Sequence, residues 1–455
     1  MAGSEMMETG PHMARAGTRD HVVAGHRPHV ARAGADAGDE TSLEPVRLIA
    51  KSVAVSRMGA LMLGSGTGSF RVRQSMRRVA AAVGIDRLQA QITLSEIVST
   101  TTRQGIFRTQ VVEVPTPAVN AERIASLAAL SLSLPKGSTV EELDRRLDDI
   151  EQRGALYRRW QLVLASAVAC MAFAFLNNST WLECGSVFLA TAFARWVHLV
   201  LDRKRINQLA VVLVAAALAS GAYVAVVAIL RGTGAGAAEL HSSAFTSSML
   251  FLVPGFPLMT SALDLARLDF PSGIQRLTHA CLVICSAGLG AWMLVALVGL
   301  TPAAAPAPAI NTATLTILRL TAGFLGVAGF AIGFNTPFRL VVAAAGIGAA
   351  ANTARLALVD GHLALQFAAI VATLGVGLAA SVASRHLHCP RIVLSVPAVA
   401  IMVPGTLAFR ALVFMNESRL TAALANGVQA ALVVVSLAVG LAVARVLTDR
   451  EWTLD

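Results

Sequence analysis

Two Pro-Gly steps, Pro254-Gly255 and Pro404-Gly405, stand 150 residues apart, each inside a long apolar segment, SMLFLVPGFPLMTSAL and SVPAVAIMVPGTLAFRAL. Proline removes a backbone donor and glycine a side chain, so each step breaks a helix. In lipid such a break is tolerated where it is buried in protein or lines a polar cavity. Two breaks at matching places in two halves are the pattern of a substrate pathway built from discontinuous helices. Thr246 and Ser247 precede the first step, Pro257 follows it closely, and Thr406 follows the second. Hydroxyls and freed backbone groups there could hold the carboxylate and ammonium of an amino acid. The competing reading is that these hydroxyls bond to their own helix.

Charges near the breaks each need a reason, because one at the bilayer centre costs about 2.5–3.5 kcal/mol on insertion scales. Asp264 and Arg267 lie near one end of the first broken segment, three residues apart, and could share a helix face. They read either as an interfacial pair or as an inner gate with a proton-carrying carboxylate. Glu183 is expected at an outer helix end in contact with water, Arg195 is expected to snorkel, and Arg319 is expected one to two turns into the sixth span from outside. The five cysteines, Cys170, Cys184, Cys281, Cys285 and Cys389, lack metal-ligand spacing and read as buried thiols. The scattered His12, His21, His26 and His29 read as a solvated tail. The loop GSGTGS at 64–69 lacks the Gly-Lys-Ser/Thr ending of a phosphate loop and follows a helix, so it reads as a flexible turn between helices. No metal or cofactor is expected.

The elements that must position these residues follow from composition. Of 455 residues 55% are hydrophobic and only 14% charged, against about 25% charged in an average soluble domain. The apolar residues concentrate in 159–447. Windows long enough to span a bilayer fall at about 160–176, 181–201, 208–230, 243–266, 276–300, 313–334, 338–358, 362–383, 391–415 and 420–446. One alternate set of loops carries Asp202-Arg203-Lys204-Arg205, then Arg267 and Arg276, Arg339, Arg385 and Arg391, and Arg445 and Arg450. That set is expected to face the cytoplasm, with both termini. The net charge of +10 is accounted for by these loops and by the N-terminal part, which excludes nucleic acid as the expected partner. The offset between the Pro-Gly steps relates the fourth window to the ninth and the fifth to the tenth. Five windows per half make the halves enter from opposite sides.

The expected fold is therefore a polytopic α-helical membrane protein, ten transmembrane helices as two inverted five-helix repeats, with an N-terminal cytoplasmic α+β domain. Its parts are a disordered tail (1–45), the α+β domain (46–158) and two five-span modules (159–305 and 306–455). Within the domain, VRLIAKSVAVSRMGALML and SFRVRQSMRRVAAAVG read as helices. LQAQITLSEIVSTTT and GIFRTQVVEVP read as pairing strands. NAERIASLAALSLSL and STVEELDRRLDDIEQRG read as further helices, the last one free to run on into the first span.

The stretch LVPGFPLMTSALDLARLDFPSGIQRL resembles a signature of the threonine/serine exporter family, here Pro254, Gly255, Pro257, Asp264, Ser272, Gly273 and Arg276. The run from Phe70 to Gly84, NAERIASLAAL and the helix up to Tyr157 are similar to that family's cytoplasmic domain. CPRIVLSVPAVAIMVPGTLAFRAL is similar to its C-terminal five-span module. The resemblance covers roughly 46–446. It implies an inner-membrane secondary exporter of threonine and serine driven by the proton motive force. Asp264, Arg267 and Arg276 are the expected proton or gate residues. In some relatives the two modules are separate chains, and some split relatives are linked to export of dicarboxylates such as succinate, which stays as the alternative. A membrane-anchored hydrolase or sensor is the remote one; the soluble part shows no nucleophile–base pair. The expected partners are the small-molecule substrate, protons and the lipid bilayer, with a homo-oligomer left open.

Overall fold

The polar N-terminal third buries most of its apolar stripes against itself, with Ala121 and Ile124 packed into the core of the later part, whereas the later segments are apolar on nearly every face and suit lipid. The computed structural model describes residues 40–114, 118–204, 206–232, 241–298 and 310–449. The tail read over 1–45, with its four histidines, lies outside them up to residue 39.

Two helices, α1 (Glu40–Gly64) and α2 (Ser69–Ala82), precede three strands, β1 (Arg87–Ile92), β2 (Glu96–Arg103) and β3 (Ile106–Glu113). The strands form an antiparallel sheet in the order β1-β2-β3. The run LQAQITLSEIVSTTT, read as one β segment, is cut at Thr93–Ser95 into two strands that pair with each other, Ala90 opposite Ser99. Gln104 and Gly105 both take positive φ, 48° and 80°, and close the β2–β3 hairpin as a two-residue turn of matching twist. Helices α3 (Ala121–Ser133) and α4 (Val140–Glu151) follow. Asn120 and Thr139 cap them by accepting from Arg123 N–H and Glu142 N–H. Met58, Met76, Val79, Ile97, Leu127 and Leu147 are buried together in this part's core. Arg57 on α1 reaches Asp144, Asp148 and Glu151 on or at the end of α4. Helix α4 stops at Glu151 and does not run on into the first span.

The remaining helices are α5 (Arg159–Leu176), α6 (Trp181–Leu201), α7 (Gln208–Gly232), α8 (Ser242–Ser247), α9 (Gly255–Ala266), α10 (Phe270–Val298), α11 (Thr312–Gly333), α12 (Phe338–Asp360), α13 (Leu365–Leu387), α14 (Arg391–Ala400), α15 (Gly405–Asn416) and α16 (Leu420–Thr448). Among the described residues eight helices are long and apolar enough to cross a membrane. Two bent pairs bring the number to ten if each is one span: Ser242–Leu252 with Gly255–Ala266 at 76°, and Arg391–Ala400 with Gly405–Asn416 at 49°. This is a multi-pass membrane protein. The fifth span begins at Phe270, not near 276, because Pro271 is well placed in a first helical turn. Arg276, counted as a loop charge from sequence, therefore lies inside α10. Cys170 and Cys184 are buried as expected, whereas Cys281 and Cys285 are exposed on α10.

Backbone details recur along the chain. Asn178 and Asn335 both adopt positive φ, 65° and 56°, in the α5–α6 and α11–α12 turns. Asn178 N–H bonds Phe175 O and Ser179 N–H bonds Ala174 O; at the same places in the second turn, Asn335 N–H bonds Ile332 O and Thr336 N–H bonds Ala331 O. Leu268 and Ser418 repeat at the interval of the two Pro-Gly steps, with φ 61° and 59°. Helices α9 and α15 are each 12 residues long, and α10 and α16 are each 29.

The N-terminal elements bond to the start of α10 and to the α11–α12 turn. Ala121 N–H and Glu122 N–H donate to Phe334 O and Asn335 O, Tyr157 hydroxyl to Thr336 O, and Leu94 N–H to Gln275 Oε1. From Pro45 onward the chain packs as one compact unit.

Candidate functional site

Each Pro-Gly step makes the same tight turn. Pro254 has φ −78° and ψ 63°, Pro404 φ −80° and ψ 58°, the inverse γ-turn conformation. Gly255 N–H accordingly donates two residues back to Val253 O (2.8 Å), and Gly405 N–H to Val403 O (2.9 Å). Each proline carbonyl then starts a new helix, accepting from Leu258 N–H and Ala408 N–H at 3.0 and 3.1 Å.

The two breaks touch reciprocally. A methyl group on Gly255 would stand 3.6 Å from Ala400 Cβ, and one on Gly405 3.1 Å from Leu250 Cδ1. Leu250 and Ala400 are themselves separated by the interval between the two steps. Beside this crossing lies a cavity of about 970 Å³. Its lining is mostly aliphatic, from α9, α10, α15 and α16, and includes Pro404, Gly405, Thr246, Ser261 and Arg267.

At the far end of α9 the chain gathers a buried polar cluster. Asp264 is 4% exposed and Arg276 2%. Arg276 Nε lies 3.4 Å from Asp264 Oδ2. Ser272, one turn before Arg276 on α10, donates to the same oxygen at 3.3 Å. The loop 64–69 closes over the pair. Arg276 Nη2 donates to Thr67 O at 2.8 Å. Ser69 Oγ stands 3.2 Å from Asp264 Oδ1 and 2.7 Å from Asp269 Oδ2. Arg73 Nη2 also donates to Asp269, at 2.9 Å. Gly66 takes φ +91°, and a methyl on Gly68 would stand 2.9 Å from Asp264 Oδ1. Both loop glycines are thus required, one by its backbone and one by the close approach of a carboxylate. The loop read as a flexible turn is a clamp.

A family model described as "Putative threonine/serine exporter" (ThrE) matches residues 54–298, and a second, "Threonine/Serine exporter, ThrE", matches 319–447. The chain belongs to the threonine/serine exporter family. As a ThrE-family transporter it is similar to two curated proteins, each named "Probable succinate transporter subunit YjjP". The one from Klebsiella aerogenes is 25% identical over 244 residues, 52% of this chain and 90% of that protein. The one from Escherichia coli (strain K12) is 25% identical over 260 residues, 54% of this chain and 96% of that protein. No solved structure matches.

In this ThrE-family chain the residues singled out by sequence fall into three places. Pro254, Gly255, Pro404 and Gly405 form the crossing. Thr246 lines the cavity, yet its hydroxyl donates to Ser242 O at 2.6 Å, and Ser247 donates to Ser243 O at 2.5 Å; both serve their own helix. Pro257 sits in the first turn of α9 and Thr406 in the first turn of α15. Asp264 and Arg276 form the buried polar cluster at the far end of α9. The pairing of Asp264 with Arg267 does not occur. Helix α9 ends at Ala266, Arg267 leaves helical geometry, and Leu268 turns left-handed, so the close spacing no longer puts both on one face. Arg267 instead stacks on Phe70, 3.5 Å from the ring centroid.

The ThrE-family fold also holds groups that sequence reasoning misplaced or missed. Glu183, expected in water, is 0% exposed. It accepts from Thr180 N–H and hydroxyl, from His241 N–H and Nδ1, and from Tyr223 hydroxyl. The Thr180-x-x-Glu183 capping box was the available signal. Arg410, shortly past the second break, bonds Ser242 Oγ through Nε and Nη2. A lone Arg within an apolar span was its signal.

Proposed function

We propose that this ThrE-family transporter exports small hydroxy-amino acids, threonine and serine, from the cytoplasm, driven by the proton motive force. The reading places both termini on the cytoplasmic side of the inner membrane, residues 46–158 as a cytoplasmic α+β domain, and residues 159–305 and 306–455 as inverted five-span repeats. The observation that carries it is the reciprocal crossing of two broken helices beside a cavity. In such folds unwound backbone at mid-membrane supplies the polar groups that hold substrate while the halves rock. The turns that recur at matching places in the two halves support the repeat. The bonds from the N-terminal elements to the Arg-bearing turns support the orientation.

In this reading the Asp264–Arg276 pair under loop 64–69 is an inner gate, and Arg267 at the cavity margin meets the substrate carboxylate. The relatives named as succinate transporter subunits favour succinate as the second reading. Against it, Arg267 is the one charged side chain among the described lining residues, and a dianion in an aliphatic cavity needs both carboxylates paired.

Counterflow in proteoliposomes with labelled threonine, serine and succinate tests the substrate. Exchange of threonine and serine is expected; exchange of succinate alone transfers the conclusion to the dicarboxylate, and exchange of none defeats the transport reading. In cells loaded with a threonine dipeptide, Asp264→Asn is expected to slow export, and a wild-type rate removes Asp264 from the gate.

A further inference from the structure

The first broken span is fastened at both ends. Its α9 end is held by the cluster around Asp264. Its α8 end is held by His241, which caps the helix and lies against Glu183 of α6 and Tyr223 of α7. Glu183 Oε1 takes three donors, His241 Nδ1 at 3.0 Å, His241 N–H at 3.1 Å and Tyr223 hydroxyl at 3.2 Å. Oε2 takes Thr180 N–H at 2.9 Å and its hydroxyl at 3.0 Å. The groups facing this pair among the described residues are Cys184 on α6, Tyr223 and the exposed Arg231 on α7, the hydroxyls of Ser179 and Thr180, and Arg410 on α15, which reaches the adjacent Ser242.

The second half is an internal control for what the architecture needs. At the offset that carries Asn178 onto Asn335, Leu340 occupies the place of Glu183. The helix starts match there too: Cys184 N–H bonds Thr180 O, and Val341 N–H bonds Pro337 O. Ala380 replaces Tyr223 at that same offset, and Arg391 replaces His241 at the offset of the Pro-Gly steps. The same turn and the same helix start form there with a leucine. A carboxylate buried at 0% exposure is therefore not required to build this corner. Burying it costs free energy that a leucine avoids, and ionisable groups inside membrane segments mark ion or proton pathways.

Resting on the export reading above, we propose that Glu183 and His241 form the outward proton-binding site that couples export to the proton gradient. The imidazole and carboxylate together bind one exchangeable proton. With it the pair is neutral overall and stays buried, holding α8 against α6 and α7. Without it the pair carries a net negative charge, which favours hydration and release of the α8 end. Arg410 tempers that charge through Ser242 and links the site to the second broken span. Proton entry from outside thus closes the outer end of the pathway after substrate has left, and the proton leaves to the cytoplasmic side once the pathway opens inward, which returns the pair to its net negative form.

The test uses full-length protein in proteoliposomes, with labelled threonine and a trapped pH dye. Glu183→Gln keeps the capping box, since glutamine serves at that position as well as glutamate. His241→Asn keeps a donor for the carboxylate while removing the titrating ring. Glu183→Gln, neutral like the protonated pair, is expected to hold the outer end closed and slow threonine counterflow even without a pH gradient, whereas His241→Asn, which keeps the carboxylate charge, is expected to retain it. Both are expected to lose gradient-driven accumulation and substrate-linked proton flux. Gradient-driven accumulation at the wild-type rate and pH profile in either variant overturns the assignment. Loss of counterflow in His241→Asn, with wild type active, also overturns it, because the histidine is then structural. Absence of counterflow in wild type defeats the export reading itself and is thereby told apart.

Discussion

Two stretches of the membrane part repeat the same turns and helix lengths and differ in charge at matching places. Pro254 and Pro404 make the same turn within a few degrees, and the helices after them have equal lengths. Yet Asp264 has Phe414 at its equivalent position, Arg276 has Asn426, and Glu183 has Leu340. The shared features are those that packing and hydrogen bonding impose on any apolar chain tracing this path. The unshared ones are buried ionisable groups, which a fold does not need and a transport cycle does. At these three positions the second half shows that the scaffold forms without the charge, while the second half holds charges of its own where the first is neutral, Arg410 at the place of Thr260 and Arg445 at that of Val295.

The sharpest way to break this contrast is to strand one charge of the Asp264–Arg276 cluster. Removing one partner of a buried ion pair costs about 3–5 kcal/mol, while replacing both with apolar groups is often neutral. Arg276→Met is therefore expected to lower the apparent melting temperature in detergent strongly. The double variant Asp264→Asn/Arg276→Met, which like the second half carries no charge at these two sites, is expected to recover most of that loss while remaining inactive in export. Recovery of export together with stability shows that the cluster is scaffold after all.

Much of this was legible in the sequence, for reasons that separate by range. Span positions follow from local hydropathy, and all ten windows recur as described helices or bent pairs. The breaks follow from proline's missing donor, a property of one residue. What was not legible depends on contacts across the chain. Nothing near 264 announces that its partner is Arg276, because the left-handed turn at Leu268 redirects the chain between them. Nothing in GSGTGS announces the distant carboxylate, that of Asp264, which Gly68 must admit. Glu183 looked exposed because it opens a helix, and only the return of His241 and Tyr223 buries it.

If the halves are equivalent in packing, equivalent glycines must fail equally. A methyl on Gly290 would stand 2.2 Å from Leu213 O, and one on Gly440 2.5 Å from Ile370 O. Gly290 and Gly440 are related by the offset of the Pro-Gly steps, and Leu213 and Ile370 by the offset of the Asn178 and Asn335 turns. Each glycine lets α10 meet α7 or α16 meet α13 with backbone against side-chain-free backbone, as small residues do between membrane helices. Alanine at either position is expected to cost about 1–3 kcal/mol through overpacking, read as similar losses of apparent melting temperature. A loss at one and tolerance at the other breaks the equivalence.

The smallest expected effect lies at the crossing itself and tests where the repeat stops being symmetric. At Gly255 the added methyl meets Ala400 at ordinary contact distance, 3.6 Å, whereas at Gly405 it meets Leu250 Cδ1 at 3.1 Å. Both glycines open helices with negative φ, so alanine gains about 0.5–1 kcal/mol from the lower entropy of its unfolded chain. Gly255→Ala is expected to keep that gain and melt slightly higher. Gly405→Ala is expected to be neutral, because Leu250 must shift its flexible end to admit the methyl. Transport then separates statics from motion. If the breaks slide past each other in the cycle, both variants slow threonine counterflow even though neither is destabilised. If counterflow is unchanged in both, the crossing is a fixed pivot, and movement must lie in the fastened ends of α8 and α9.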